Sequence, residues 1–304
     1  MTRHHDARDH DARDHAHDAH DHDDHDDHRE GLTYDLPKIV ARGYGRRGLL
    51  GLMGGLGAVA VAGCAIGEPD TEVISTGNAQ SGAPAGAPSA AATVADGEIP
   101  EETAGPYPGD GSNGVNMLTE SGVVRQDITS SFGGASGVAE GVPLAIRLKV
   151  YDTKGDDVTP LAGAAVYVWH CNRDGEYSMY SADIADENYL RGVQETDSDG
   201  ALSFTSIFPA AYDGRWPHIH FEVYPSIDDA TTASNRLRTS QIALPEDTCR
   251  DVYTNADGYD ASLANLEQTS LSSDMVFSDG WSLQLAKMTG SIEEGYVASL
   301  NVPV

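Results

Sequence analysis

Lysine is nearly absent from this 304-residue chain: beyond residue 63 only Lys149, Lys154 and Lys287 occur. Acidic residues dominate, with 48 Asp and Glu against 19 Lys and Arg, a net charge of −29. Residues 1–63 carry 12 of the acids and 8 of the bases, leaving 36 against 11 and a charge of −25. Such a surface repels nucleic acid and argues against any polyanionic partner. It suits a high-salt habitat and an ordinary acidic secreted protein equally well. Cysteine is scarce too, with only Cys64, Cys171 and Cys249, too few for a disulfide scaffold. In an exported setting Cys171 and Cys249 either pair or stay as two buried thiols. The one long apolar run, Gly48 to Gly63, is too short and glycine-rich for a comfortable membrane-spanning helix. No solenoid-type repeat is present.

What the first hundred residues do contain is a set of processing signals. Nine of the 12 histidines crowd into the first 28 residues, and residues 1–30 otherwise hold mostly Asp with four Arg and almost nothing apolar. That tract cannot bury a core and reads as a solvated extension, metal buffering being the functional alternative. A basic segment ending in Arg46-Arg47, followed by the apolar run, resembles a twin-arginine export signal. Val61-Ala62-Gly63-Cys64 resembles a bacterial lipobox, which would make Cys64 the lipidated first residue of the mature chain. An uncleaved amphipathic anchor is the competing reading. Residues 64–100, rich in Ala, Gly, Ser, Thr and Pro, form a flexible spacer. The expected organisation is therefore 1–63 extension and signal, 64–100 spacer, and 101–304 folded domain. Membrane contact would come only through the lipid.

Within 101–304 helical periodicity is weak, with Asp260–Gln268 the one short helix expected. Strand-like runs recur at Val142–Tyr151, Ala164–Cys171, Ala201–Phe208, His218–Tyr224, Leu237–Leu244, Trp281–Met288 and Tyr296–Val302. Polar turns such as Asp174-Gly175, Asp197-Ser198-Asp199-Gly200 and Asp213-Gly214 separate them. This predicts an all-β, antiparallel sandwich of prealbumin- or immunoglobulin-like type, with long loops and at most short helices.

Outside the N-terminal tract only His170, His218 and His220 remain. His218 and His220 open an apolar strand, so both project from one face and could grip a single metal ion. The alternative is an ordinary pair of strand histidines. Tyr212 and Arg215 lie just upstream, and two imidazoles with phenol oxygen suit a hard, high-valent ion such as ferric iron. His170 alternates with Val166 and Val168, which suggests a structural, hydrogen-bonded histidine. Trp169 and Trp281 read as core residues.

A second tyrosine-bearing stretch runs Trp169-His170-Cys171-Asn172-Arg173-Asp174-Gly175-Glu176-Tyr177-Ser178. With Asn188-Tyr189-Leu190-Arg191-Gly192 and the Tyr212 to His220 segment, it resembles the intradiol ring-cleavage dioxygenases of catechol, hydroxyquinol and protocatechuate. The resemblance runs from about Thr103-Ala104-Gly105-Pro106-Tyr107 to the last strand, and the order Tyr, Tyr, Arg, His, His is its specific part. It implies Fe(III) held by Tyr177, Tyr212, His218 and His220, with Tyr180 the competing choice for the first ligand. It places Arg215 over the substrate ring and Gln241 in the pocket lining. It further implies a catecholic substrate and O2, cleaved between the two hydroxylated carbons to a muconate-type diacid. Pro108 stands where many relatives have a second tyrosine, and no N-terminal helical dimerisation segment is evident. Oligomeric habits of the family therefore do not transfer.

The resemblance also implies a hydroxide in the fifth position, and charge arithmetic fits that set: two phenolates and the hydroxide cancel three positive charges, so burial costs little. Holding phenols of ordinary pKa ~10 as anions needs such a cation. Two rivals stand beside this reading. One is a non-catalytic prealbumin-like surface module that binds polysaccharide or iron. The other is a divalent-metal hydrolase that adds Glu222, on the same strand face, to the two histidines.

Overall fold

The computed structural model describes residues 97–154 and 157–304. The His/Asp tract, the Arg46-Arg47 and Cys64 motifs and nearly all of the 64–100 spacer lie outside the described residues. Nine strands follow in order: β1 (Pro143–Asp152), β2 (Thr159–Pro160), β3 (Ala165–Trp169), β4 (Arg191–Glu195), β5 (Ala201–Ile207), β6 (His218–Tyr224), β7 (Arg238–Ala243), β8 (Lys287–Ser291) and β9 (Gly295–Pro303). Two helices, α1 (Glu246–Asn255) and α2 (Ser262–Leu266), lie between β7 and β8.

The strands form two sheets. One runs β4-β3-β6-β7, antiparallel throughout. The other runs β2-β1-β9-β8, with β5 also paired to β1. Its β1–β9 pair is parallel, the one departure from an antiparallel sandwich among the named strands. Period-2 alternation explains the layering. Leu144, Ile146, Leu148 and Val150 of β1 meet Val166, Val168, Ile219, Phe221 and Val223 of the facing sheet in the main core.

The opposite face of β3 and β6 is also buried, which is why β6 is covered along its whole length. There the loop chain from 105 to 123 folds back and adds Tyr107, Met117, Leu118 and Val123 to Ala165, Tyr167, Trp169, Tyr177 and Tyr212. This second apolar layer roofs His218 and His220. Without it they would stand on an open sheet face.

Four elements differ from the sequence expectation. The Trp281–Met288 run is a turn at its start, with the N–H groups of Gln284 and Leu285 donating to the Trp281 carbonyl, and the strand begins only at Lys287. Strand β4 was not expected, since Arg191-Gly192 interrupts its apolar pattern. Helix α1 was not expected either, because only Cys249, Val252 and Tyr253 form its buried stripe. Its start is nonetheless marked: Glu246 and Asp247 follow Pro245 and complement the helix dipole. The expected Asp260–Gln268 helix shrinks to Ser262–Leu266. No disulfide joins Cys171 to Cys249; each is a buried thiol, and Cys171 Sγ lies 3.6 Å from the Ala210 carbonyl.

Candidate metal centre

Strand β6 carries the centre. His218 and His220 share one face, and their Nε2 atoms approach to 3.1 Å. The His218 Nδ1 atom lies 2.5 Å from the Trp216 carbonyl, which can only accept, so the proton sits on Nδ1 and Nε2 bears the lone pair. His220 is oriented differently. Its ring lies flat against Trp169, 4.9 Å between centroids and 3° between planes, and its buried Nδ1 meets no protein partner. Burial first, and Arg215 next, pushes the His218 imidazole down to about 3; burial and His218 hold His220 well below its ordinary value. Both rings are thus neutral at physiological pH, the state in which imidazole binds a metal.

Two loops bring phenol oxygens to the same point. Tyr177 Oη lies 3.4 Å from His220 Nε2, and Tyr212 Oη lies 3.3 Å from His218 Nε2. Gly175 makes this convergence possible. Its φ of 89° favours glycine, and a Cβ there would press within 3.1 Å of Tyr212 Cβ. Tyr180, the competing ligand, is turned away: its hydroxyl accepts from the Gly109 N–H and pairs with Asn113. The roof comes close as well, since a Cβ on Gly105, at φ 70°, would sit 3.3 Å from His220 Cε1.

Four donors therefore meet at separations of 3.1, 3.3 and 3.4 Å. Ligands at right angles on bonds of about 2.1 Å lie roughly 3.0 Å apart, so these separations match the edges of a metal's coordination shell. Two phenols beside two imidazoles, with no thiolate, select a hard ion. The residues fit ferric iron.

Arg215 stands next to the donors, 2 % exposed. Burial alone would lower its guanidinium, but Tyr212, Asp274 and Tyr177 outweigh that and hold it above the usual value. Its Nε donates to Asp274 Oδ2 at 2.9 Å and its Nη2 to Gln241 Oε1 at 2.8 Å. Gln241 lies opposite His220 in the β6–β7 register and donates in turn to the Thr103 carbonyl at 2.9 Å. Asp274 also accepts the backbone N–H groups of Trp216, Val276 and Phe277. Burial would raise its carboxyl, but the Arg215 charge and the Trp216 N–H outweigh that and hold it below the usual range.

Several sequence-chosen residues are not themselves donors. His170 bonds to the Cys171 carbonyl at 2.8 Å and Ser206 Oγ at 2.7 Å, and burial pushes it down to about 4. Trp169 backs His220, while Trp281 packs on the main core. Glu222 shares the histidine face, but its oxygens accept from Tyr224 Oη at 2.6 Å and Thr239 Oγ1 at 3.2 Å. Burial, then Asp110, raises its carboxyl to about 8, and both its oxygens are engaged by Tyr224 and Thr239 rather than by the donor cluster. That removes the third ligand the hydrolase reading needs.

Asp274, Trp169 as the stacking partner of His220, and Arg191 were missed as site-building residues. Arg191 is fully buried; it donates to the Tyr107, Pro108 and Ser178 carbonyls and so ties the roof to the Tyr177 loop. That loop includes Met179 at φ 71°, a left-handed conformation that needs such support. The Leu190-Arg191-Gly192 stretch was visible in the sequence. No local pattern marked Asp274.

Known proteins resemble this chain in sequence and in fold. A family model described as Dioxygenase matches residues 119–236, a span that contains Tyr177, Tyr212, Arg215, His218 and His220 but neither Gln241 nor Asp274. A chlorocatechol 1,2-dioxygenase of Rhodococcus opacus is 42% identical over 64 residues, covering 21% of this chain and 24% of that protein. A catechol 1,2-dioxygenase of Candida albicans is 37% identical over 96 residues, 26% of this chain and 31% of that protein. The aligned stretch thus spans only a quarter to a third of those relatives' length. The solved intradiol ring-cleavage dioxygenase from Tetranychus urticae has the same fold, at TM-score 0.53 and 23% identity over 68% of this chain and 94% of that one. The chain thus matches the dioxygenase family model over residues 119–236, is similar over a short stretch to catechol- and chlorocatechol-cleaving dioxygenases, and shares its all-β fold with a solved intradiol ring-cleavage dioxygenase.

Proposed function

We propose that the protein is a ferric dioxygenase that opens catechol-type rings between the two hydroxylated carbons, using both atoms of O2 to give a muconate-type diacid. One observation carries this: Tyr177, Tyr212, His218 and His220 turn four donor atoms to a common point with the Arg215 guanidinium alongside. When bound there, ferric iron supplies the charge that keeps phenols ionised and couples the electron-rich ring to dioxygen.

The chain's own residues do the rest. A catechol that binds through both oxygens must lose two protons. Tyr212, at 8 % exposure against 2 % for the other three donors, is the donor best placed to leave and take one of them. Arg215 faces negative charge that grows on the ring during cleavage, and a fixed guanidinium stabilises it without reorganising. Asp274 and Gln241 fix its Nε and Nη2; Nη1 is the guanidinium nitrogen that no protein acceptor holds among the described residues. The apolar roof over β6 excludes bulk water and strengthens these charge interactions.

Oxygen uptake tests the reading. Iron-loaded protein should consume one O2 per catechol cleaved and form a diacid, with catechol, hydroxyquinol, protocatechuate and methylated catechols compared side by side. Absence of uptake with all of them would reject it. The proposal extends to location: twin-arginine export followed by a lipid on Cys64. Unchanged export after Arg46→Lys with Arg47→Lys would reject that part.

A further inference from the structure

The chain's few cations are not spread evenly. Arg173, Arg236, Arg238 and Arg250 each face a carboxylate within ion-pair distance. Arg147, Lys149 and Lys287 face none among the described residues, and neither does Lys154, which stands apart on the turn after β1. The first three line one open groove of about 520 Å³ together with Ser203, Ser299 and Asn301.

Register explains the gathering. Lys287, Ser299, Arg147 and Ser203 stand abreast on one rung across β8, β9, β1 and β5. Lys149 and Asn301 form the next same-face rung. Neighbouring strands are about 4.8 Å apart and same-face residues about 7 Å along a strand, so the three cations form a triangle with sides of roughly 7–12 Å. The groove's one acid, Asp197, is occupied, accepting the N–H groups of Asp199 and Ala201.

We propose that this groove binds a carboxylate-bearing polysaccharide. Three cations without a carboxylate partner, Lys149 also lying 5.5 Å over the Tyr151 ring, sit at repeat-like spacing in a chain otherwise strongly acidic and give local charge complementarity to a polymer with evenly placed carboxylates. Serine hydroxyls and an asparagine amide between them match sugar hydroxyls. An anionic membrane is disfavoured, because no exposed large apolar side chain lines the groove to enter a bilayer. Overall negative charge does not prevent binding, since a Debye length of about 8 Å at physiological salt screens distant carboxylates from a ligand in contact. The groove lies on the outer face of one sheet and the donor cluster on the outer face of the other. Occupation would hold the protein on a matrix while leaving the metal centre open.

Binding of the full chain to polygalacturonate, to its methyl-esterified form and to phosphatidylglycerol vesicles tests this at low and physiological salt. Polygalacturonate should bind with an affinity that falls as salt rises. The variant R147Q/K149Q/K287Q should lose roughly tenfold or more, with the esterified polymer bound weakly by both proteins. Lys287→Glu alone, on an exposed edge strand, should show the same direction and guards against misfolding of the triple variant. No polygalacturonate binding at low salt, binding unchanged in both variants, or vesicle binding that depends on these three cations would each overturn the proposal.

Discussion

Replacing Asp274 by Ala should be among the most damaging single changes in this domain, although the residue touches none of the four donors. Its carboxylate pairs with Arg215, and both side chains are nearly inaccessible, at 0% and 3% exposure. Removing one partner of a buried pair leaves the other charge uncompensated, at a cost of about 3–5 kcal/mol. The backbone N–H groups of Trp216, Val276 and Phe277 lose their acceptor as well, so the upper part of that range is expected. For a domain of this size each kcal/mol shifts Tm by about 2–4 °C, giving a fall of roughly 6–20 °C. Asp274→Asn keeps the volume and one acceptor oxygen, and should fall between wild type and Asp274→Ala. Calorimetry on metal-free protein measures this without reference to activity. A loss below about 1 kcal/mol for Asp274→Ala would refute the argument that this pair fixes Arg215.

Other consequences follow from the same geometry. Gly105→Ala, at φ 70° and 3.3 Å from His220, should cost about 1–2 kcal/mol in backbone strain and weaken iron binding by displacing the imidazole, read by urea denaturation and iron titration. In metal-free protein Glu222 holds its proton up to about pH 8, so its contribution is full below the ordinary glutamate pKa and is lost as pH rises toward 8. His218 is pushed the other way, so stability is also lost as pH falls from about 6.5 toward 3. Denaturation midpoints against pH should therefore peak between these limbs, and Glu222→Gln should flatten only the alkaline one. Tyr180→Phe should leave the iron spectrum intact while loosening the roof, whereas Tyr177→Phe should change the spectrum directly.

The two-sheet architecture was legible because β1, β5 and β6 alternate or run apolar without interruption. Strand β4 was not, because a buried arginine and a glycine occupy its first two positions for reasons of long-range bonding. The donor residues could be named from Tyr177 and from the Tyr212 to His220 spacing, since strand periodicity fixes which side chains share a face. Their meeting point could not, as it depends on Gly175 and on a roof from residues about a hundred positions upstream of β6. Asp274 was hidden for the same reason: it reaches Arg215 across 59 positions of chain. The fate of Cys171 and Cys249 was likewise a matter of packing, one against the second apolar layer and one inside α1.

Ferric titration of metal-free protein, followed in the visible, measures the convergence of the four donors most directly. One iron per chain should bind and develop a tyrosinate-to-iron band, which Tyr177→Phe and Tyr212→Phe each weaken or shift. Iron that binds without colour, or a band indifferent to both substitutions, would show that these phenols do not hold the metal.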